Sequence, residues 1–186
     1  MKKYLLLLAL LLAGVVAFAV IEGPNGSMPK RDPSAKEERR EVREKRRAER
    51  LEKYEKFIDS LILSRNWEFN PQTMQQMPAG TMRILSNPHF TVGIWDATVD
   101  ICLPYIKGYV PPYYLTILNY TVPSVDHYVA EQTAEGWNVT FQTSLFSAST
   151  YTFSFDISTK IGGVILTVSN PWYNAVQYTG TISQLY

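Results

Sequence analysis

Cysteine and histidine are nearly absent from this chain. The single cysteine, Cys102, among 186 residues excludes an internal disulfide framework and a thiolate metal cluster. It sits in the alternating run TVDICLPYI and reads as a buried, inert thiol. Two histidines, His89 and His127, are too few for a histidine-built zinc centre, which needs three or four ligands at recognisable spacing. A mixed set of Asp126, His127 and Glu131 fails on geometry, because adjacent strand residues point to opposite faces. There is no G-x-S-x-G elbow, no G-x-G-x-x-G and no Walker loop; Gly162-Gly163 reads as a turn. The carboxylates Asp100, Asp126 and Asp156 could run paired glycosidase chemistry only by converging. All three instead fall in the outward, wet phase of their runs. No catalytic residue, metal ligand or cofactor is assigned on these grounds.

Basic residues are also scarce over most of the chain. Residues 57–186 hold only Arg65, Arg83, Lys107 and Lys160 against eight Asp and Glu. A mildly acidic, aromatic body of this kind lacks the electrostatic footprint of a nucleic-acid partner.

What the body lacks is concentrated upstream. In KEERREVREKRRAERLEKYEK (36–56), 17 of 21 residues are charged, and ten of the chain's 18 Lys and Arg lie there. Seven interleaved glutamates argue against a nucleic-acid arm. Asp32-Pro33 and Ser34-x-x-Glu37 predict a helix start, and Glu41–Lys45, Glu49–Lys53 and Glu52–Lys56 are favourable i,i+4 pairs. From Leu51 the pattern changes. Leu51, Tyr54, Ile58, Leu61 and Arg65 recur at three–four spacing, widened by Phe57 and Ile62, so the rear turns carry an apolar face. The expectation over 34–65 is a charged helix, solvated in front and docked behind.

The chain opens with a leader-like segment. Lys2-Lys3, an apolar run from Tyr4 to Val16, and Ala17-Phe18-Ala19 predict a signal peptide over 1–19, cut after Ala19. The alternative is an uncleaved anchor, since Tyr4–Ile21 has just the length of a candidate span. Cleavage leaves no stable membrane span. Residues 20–33, rich in Pro and Gly, read as a linker.

From Trp67 the period becomes two. FTVGIW (90–95), TVDICL (98–103), WNVTFQTSL (137–145), YTFSFDI (151–157), VILTVS (164–169) and AVQYTGTISQL (175–185) read as strands between turn signals, and YLTILNYTV (114–122) and SVDHYVAEQ (124–132), divided by Pro123, are less clean. Gly136 supplies the positive φ for a hairpin. The expected fold over 66–186 is mainly β: an antiparallel meander forming a small barrel or sandwich, preceded by the charged helix.

In order and pattern the chain resembles the family called domain of unknown function 4251, found mainly in exported proteins of gut-associated Gram-negative bacteria. The resemblance is carried by Trp67-Glu68-Phe69, NPHFTVGIWDATVDI (87–101), TAEGWNVTFQ (133–142) and VILTVSNPWYNAVQYTGTI (164–182). It runs from about residue 36 to the C-terminus. Where such domains tend to be glycine-rich, GYVPPYY (108–114) places prolines and tyrosines. The resemblance implies an all-β exported protein in the periplasm or cell envelope, and it carries over no functional residue.

Loop aromatics are the one feature with functional colour. Tyr109, Tyr113, Tyr114 and Trp172 fall in or beside predicted turns, where rings are an unfavourable exposure unless covered or engaged. They are the candidate ligand-binding residues, for stacking on a glycan or holding a small apolar molecule. The expectation is a non-catalytic binding domain with a small-molecule, glycan or envelope-protein partner. Two alternatives stand beside it. A hydrolase on envelope material needs His89 or His127 to meet a carboxylate or hydroxyl in a cleft. A structural or protein-interaction module predicts a flat apolar patch or an exposed strand edge.

Overall fold

The computed structural model describes residues 33–108, 111–145 and 149–185. The leader, its expected cut after Ala19, the linker up to Asp32 and the candidate residue Tyr109 lie outside the described residues.

Helix α1 (Pro33–Ser64) is 32 residues long. It opens on proline, whose missing N–H costs nothing in a first turn that has no internal acceptor. Every residue from Lys36 to Lys53 is exposed. Two i,i+4 ion pairs run along it among the described residues, Arg40–Glu44 at 3.0 Å and Glu52–Lys56 at 2.8 Å. The Glu52–Lys56 hydrogen bond, reinforced by charge, draws the glutamate down and the lysine up from their ordinary values. Further along, the apolar stripe takes over. Ile58, Leu61 and Ile62 are buried, while Leu51 and Phe57 on its margins stay exposed. Arg65, at φ 50°, caps the helix in the left-handed region, and its N–H bonds the Ile62 carbonyl at 3.2 Å. The chain divides into compact units between Lys45 and Arg46, so the rear of α1 shares one unit with the strands. No described helix is long and apolar enough to cross a membrane.

Ten strands follow: β1 (Asn66–Gln76), β2 (Arg83–Ile84), β3 (Thr91–Trp95), β4 (Thr98–Lys107), β5 (Tyr114–Val122), β6 (Asp126–Gln132), β7 (Gly136–Leu145), β8 (Ser149–Ser158), β9 (Gly163–Asn170) and β10 (Tyr173–Gln184). They form one sheet in the order β5-β4-β3-β1-β10-β9-β8-β7-β6, with β2 attached to β1. All pairings are antiparallel. The sheet curls into a half-barrel, so β5 and β6 are its two edges.

Three details go beyond the sequence pattern. β1 runs through Pro71, where the register against β10 shifts between Pro71 and Thr73; a bulge spares the missing N–H. β4 continues past Leu103 through Pro104 to Lys107. β6 begins at Asp126 rather than Ser124, with its own shift between Asp126 and Val129.

Alternation puts one side chain in two into the hollow of the curl. Trp67, Phe69, Tyr105, Phe141, Tyr151, Phe153, Phe155 and Tyr178 fill it. The rings of Trp67 and Phe155 meet edge-on at 5.1 Å, and Phe141 stacks on Phe153 at 5.0 Å. The Tyr178 hydroxyl donates to the Pro104 carbonyl at 2.6 Å, tying β10 to β4 across the hollow. The rear of α1 joins this core through its three buried aliphatics, and Trp137 Nε1 donates to Asp59 Oδ1 at 2.7 Å. Gly136 takes φ 155°, and a Cβ there would collide with the Ile157 carbonyl oxygen. The expected hairpin glycine is therefore required by a close approach as well as by its turn.

Candidate functional site

At its far end β1 is fastened to two other connections. Gln76, buried, donates from Nε2 to the Gly108 carbonyl at 2.9 Å, holding the end of β4 against β1. Met77 N–H bonds the Ala175 carbonyl at 2.8 Å, bringing in the start of β10. The turn between them is tight: Gly80 N–H returns to Gln76 O at 2.7 Å, and Gln75 Nε2 donates to Gly80 O at 2.9 Å. A Cβ on Gly80 would stand 2.5 Å from the Gln76 carbonyl oxygen, so a side chain has no room there. Gln75, Gln76, Met77, Pro78, Ala79 and Gly80 build this corner without a clean apolar period, which is why alternation did not reveal it.

The corner encloses a concavity of about 350 Å³ lined by Gln76, Pro78, Arg83, Ile106, Tyr113 and Asn174 among others. Its floor is apolar through Ile106, and its rim carries the Tyr113 ring and the Arg83 guanidinium. Arg83 forms no ion pair among the described residues. Asn174 is steadied from below, where the Tyr105 hydroxyl donates to its carbonyl at 3.3 Å. Next to it, Lys107 Nζ lies 6.0 Å from the centre of the Tyr173 ring. The body's cations are few; Arg83 lines this concavity together with Tyr113, and Lys107 lies near Tyr173.

Of the residues singled out from sequence, Tyr113 is brought into this concavity. Tyr114 and Trp172, each 65% exposed, line neither of the two hollows described. Trp172 N–H instead closes an Asx turn on Asn170 Oδ1 at 2.8 Å. Arg83, Gln76 and Asn174 were not anticipated. Only Arg83 had a sequence signal, as one of four cations in an acidic body.

A second hollow, of about 490 Å³, includes Glu135, Trp137, Asp156, Ile161, Ile165 and Thr179 in its lining. Asp156 already accepts from Asn138 Nδ2 at 2.6 Å. It offers acid and exposed aliphatics and no cation, and its aromatic residue, Trp137, is buried with its indole N–H donated to Asp59.

Chemistry elsewhere is sparse. His89 and His127 are exposed and line neither hollow. Asp100 accepts from Thr121 Oγ1 at 2.7 Å. No group of three His, Cys, Asp or Glu suited to a metal ion occurs among the described residues. Cys102 is half-buried rather than buried as expected; the burial it has pushes its thiol up, and the Asp100 charge adds to the shift, so a thiolate nucleophile is disfavoured there.

A family model described as a domain of unknown function (DUF4251) matches residues 49–182. The fold is similar to a crystal structure of a DUF4251 family protein from Bacteroides eggerthii, with a TM-score of 0.55 at 9% identity, covering 70% of this chain and 87% of that one. No curated protein matches the chain.

Proposed function

The chain belongs to the DUF4251 family, and we propose that it is a non-catalytic binding domain whose contact site is the Tyr113–Arg83 concavity. The observation that carries this reading is convergence. Strand β2 brings an uncompensated guanidinium, and the end of β4 with its connection to β5 brings an apolar floor and an aromatic face, to one hollow. Arginine with a neighbouring ring suits a ligand having a planar or apolar face and an acceptor or anionic group. An acidic sugar or a small aryl or alkyl acid has that chemistry. Absence of catalysis is supported by carboxylates held by neighbouring Asn and Thr side chains, and by histidines standing singly.

The leader-like opening supports export, so the proposed setting is the periplasm or cell envelope of a Gram-negative bacterium. Native mass spectrometry on protein purified from the host's envelope fraction tests both halves. Loss of residues 1–19 with a reproducible mass released on denaturation supports an exported carrier. A bare chain that also gains no mass on incubation with an acidic-oligosaccharide panel removes the binding reading.

A further inference from the structure

Cations and glutamates are interleaved along the sequence of α1, but they separate around the helix. At about 100° per residue, every cation from Lys36 to Lys53 except Lys45 falls within one arc of about 140°, centred on Arg43 and Arg50. Every glutamate from Glu37 to Glu52 falls in the arc opposite, centred on Glu41 and Glu52. All of these side chains are exposed. The basic arc forms a row that steps every three or four residues, so cations recur about every 5 Å along about 25 Å of helix. Most are arginines, whose planar forks pair bidentately with carboxylate or phosphate oxygens. Arg40 alone in the row is ion-paired among the described residues, to Glu44.

We propose that this row binds an extended acidic polysaccharide, which lies along α1 with its anionic groups on the arginines. Charge complementarity calls for a polyanion, and the helix itself selects a slender one. Tyr54 and Leu61 fall in the same arc and pack against the strand core, so the strands stand on the side of the helix that bears Arg50 and Lys53. A flat anionic bilayer meets the strands before it meets those cations, whereas a thin chain runs alongside. Single-stranded nucleic acid is gripped by rings on which its bases stack, and no aromatic residue lies between Lys36 and Lys53. A second copy in a two-fold pair sets basic row against basic row. A polyuronate presents one carboxylate per sugar ring along a narrow chain, which suits a row of single cations.

The glutamates do not cancel this attraction. They stand about 10 Å away across the helix, beyond the Debye length of about 8 Å at physiological salt. The row shares no residue with the Tyr113–Arg83 concavity, so the two readings stand or fall separately.

Isothermal titration of the full chain with polygalacturonate at rising sodium chloride tests the proposal. The expected result is binding that weakens steeply with salt and is absent for the fully methyl-esterified polymer. Arg43→Glu, in the middle of the row, weakens it at least about tenfold. Lys45→Glu makes the same change of charge two residues on, in the glutamate arc, and alters it less than about twofold. Circular dichroism confirms that both variants keep the helix; should Arg43→Glu not, Arg39→Glu takes its place. No binding overturns the proposal. Equal effects of the two substitutions, which mark attraction to net charge alone, overturn it too, as does binding that neither alters. Phosphatidylglycerol vesicles and an oligodeoxythymidylate are titrated alongside. If either binds as tightly as polygalacturonate and Arg43→Glu weakens it, the row belongs to a membrane or to nucleic acid and the polysaccharide assignment falls.

Discussion

Arg65 holds its guanidinium carbon 4.3 Å from the centre of the Tyr128 ring, and the backbone around this contact is unusual on both sides. Arg65 has φ 50°, and His127, the residue before Tyr128, has φ 52°. The Arg65 carbonyl accepts the N–H of Asp96, which has φ 56°, at 2.9 Å. These three non-glycine residues with positive φ thus gather where α1 hands over to β1, β3 turns into β4 and β6 begins. Left-handed backbone costs an L-residue about 1–2 kcal/mol. His127 is exposed, so His127→Gly relieves strain without losing packing. Set against the added freedom of the unfolded chain, it is expected to stabilise by about 0.5–1 kcal/mol. Arg65→Ala loses the ring contact and costs about 0.5–1 kcal/mol. Urea denaturation of both variants checks the opposite signs.

Alkaline stability follows from the tyrosines. Burial pushes the Tyr178 hydroxyl well above its ordinary value of 10.0, with Tyr105 adding to the shift. Burial also raises Tyr128, partly offset by Trp67 and Arg65. An unfolded tyrosine loses its proton near pH 10 while the folded one keeps it. The unfolded chain therefore binds fewer protons above that point, and stability falls as pH rises. The contribution is complete below about pH 10 and is lost on the way up through the folded values. Tyr178→Phe and Tyr128→Phe should each flatten that fall. At pH 7 they part company. Tyr178→Phe strands the Pro104 carbonyl and costs about 1–3 kcal/mol, whereas the Tyr128 hydroxyl is buried without a hydrogen bond of ordinary geometry, so its removal costs nothing. Equal costs would mean that Tyr128 is paired in solution.

The fold was legible where burial is one-sided. Strands such as WNVTFQTSL and YTFSFDI have one wet face, so alternation shows through. It was hidden in β1 beyond Trp67-Glu68-Phe69, where the strand goes on to bury Gln76 near Met74 and Pro71 argues against a strand until its bulge is known. The site was only half legible. Exposed tyrosines announce themselves, but what selects Tyr113 over Tyr114 is the side of the corner each faces. That depends on hydrogen bonds from Gln76 and Met77 to residues about thirty and a hundred positions away, which no local pattern records.

Gly162 tests whether the helix face is docked tightly. It has φ 67°, and a Cβ there would collide with the Tyr54 hydroxyl. Gly162→Ala therefore combines a left-handed penalty with displacement of the helix side chain, and is expected to cost about 2–3 kcal/mol. Gly162→Ala in a Tyr54→Phe background should cost less, because the colliding oxygen is gone. Additive losses in thermal denaturation would show that Tyr54 already moves freely away from the β8–β9 turn.

The rear of the charged helix belongs to the domain's core and the front does not, and truncation separates the two. Ile58, Leu61 and Ile62 are all at most 4% exposed. Burying an aliphatic side chain of this size is worth about 1.5–3 kcal/mol, so the three together approach the whole stability of a small domain, about 5–15 kcal/mol. Asp59 adds the acceptor for the Trp137 indole N–H. A chain beginning at Arg46 keeps every one of these contacts and should unfold within about 1 kcal/mol of the full protein. A chain beginning at Asn66 loses the three buried aliphatics and the acceptor of the Trp137 indole and should show no cooperative transition by tryptophan fluorescence. Asp59→Ala, which leaves the helix in place, should fall between them at a cost of about 1–3 kcal/mol. If the chain from Asn66 unfolds as sharply as the full protein, the strands alone hold the core and α1 only leans on it. That outcome would also remove the physical reason for a three–four apolar pattern emerging, at Leu51, out of a stretch otherwise made of charge.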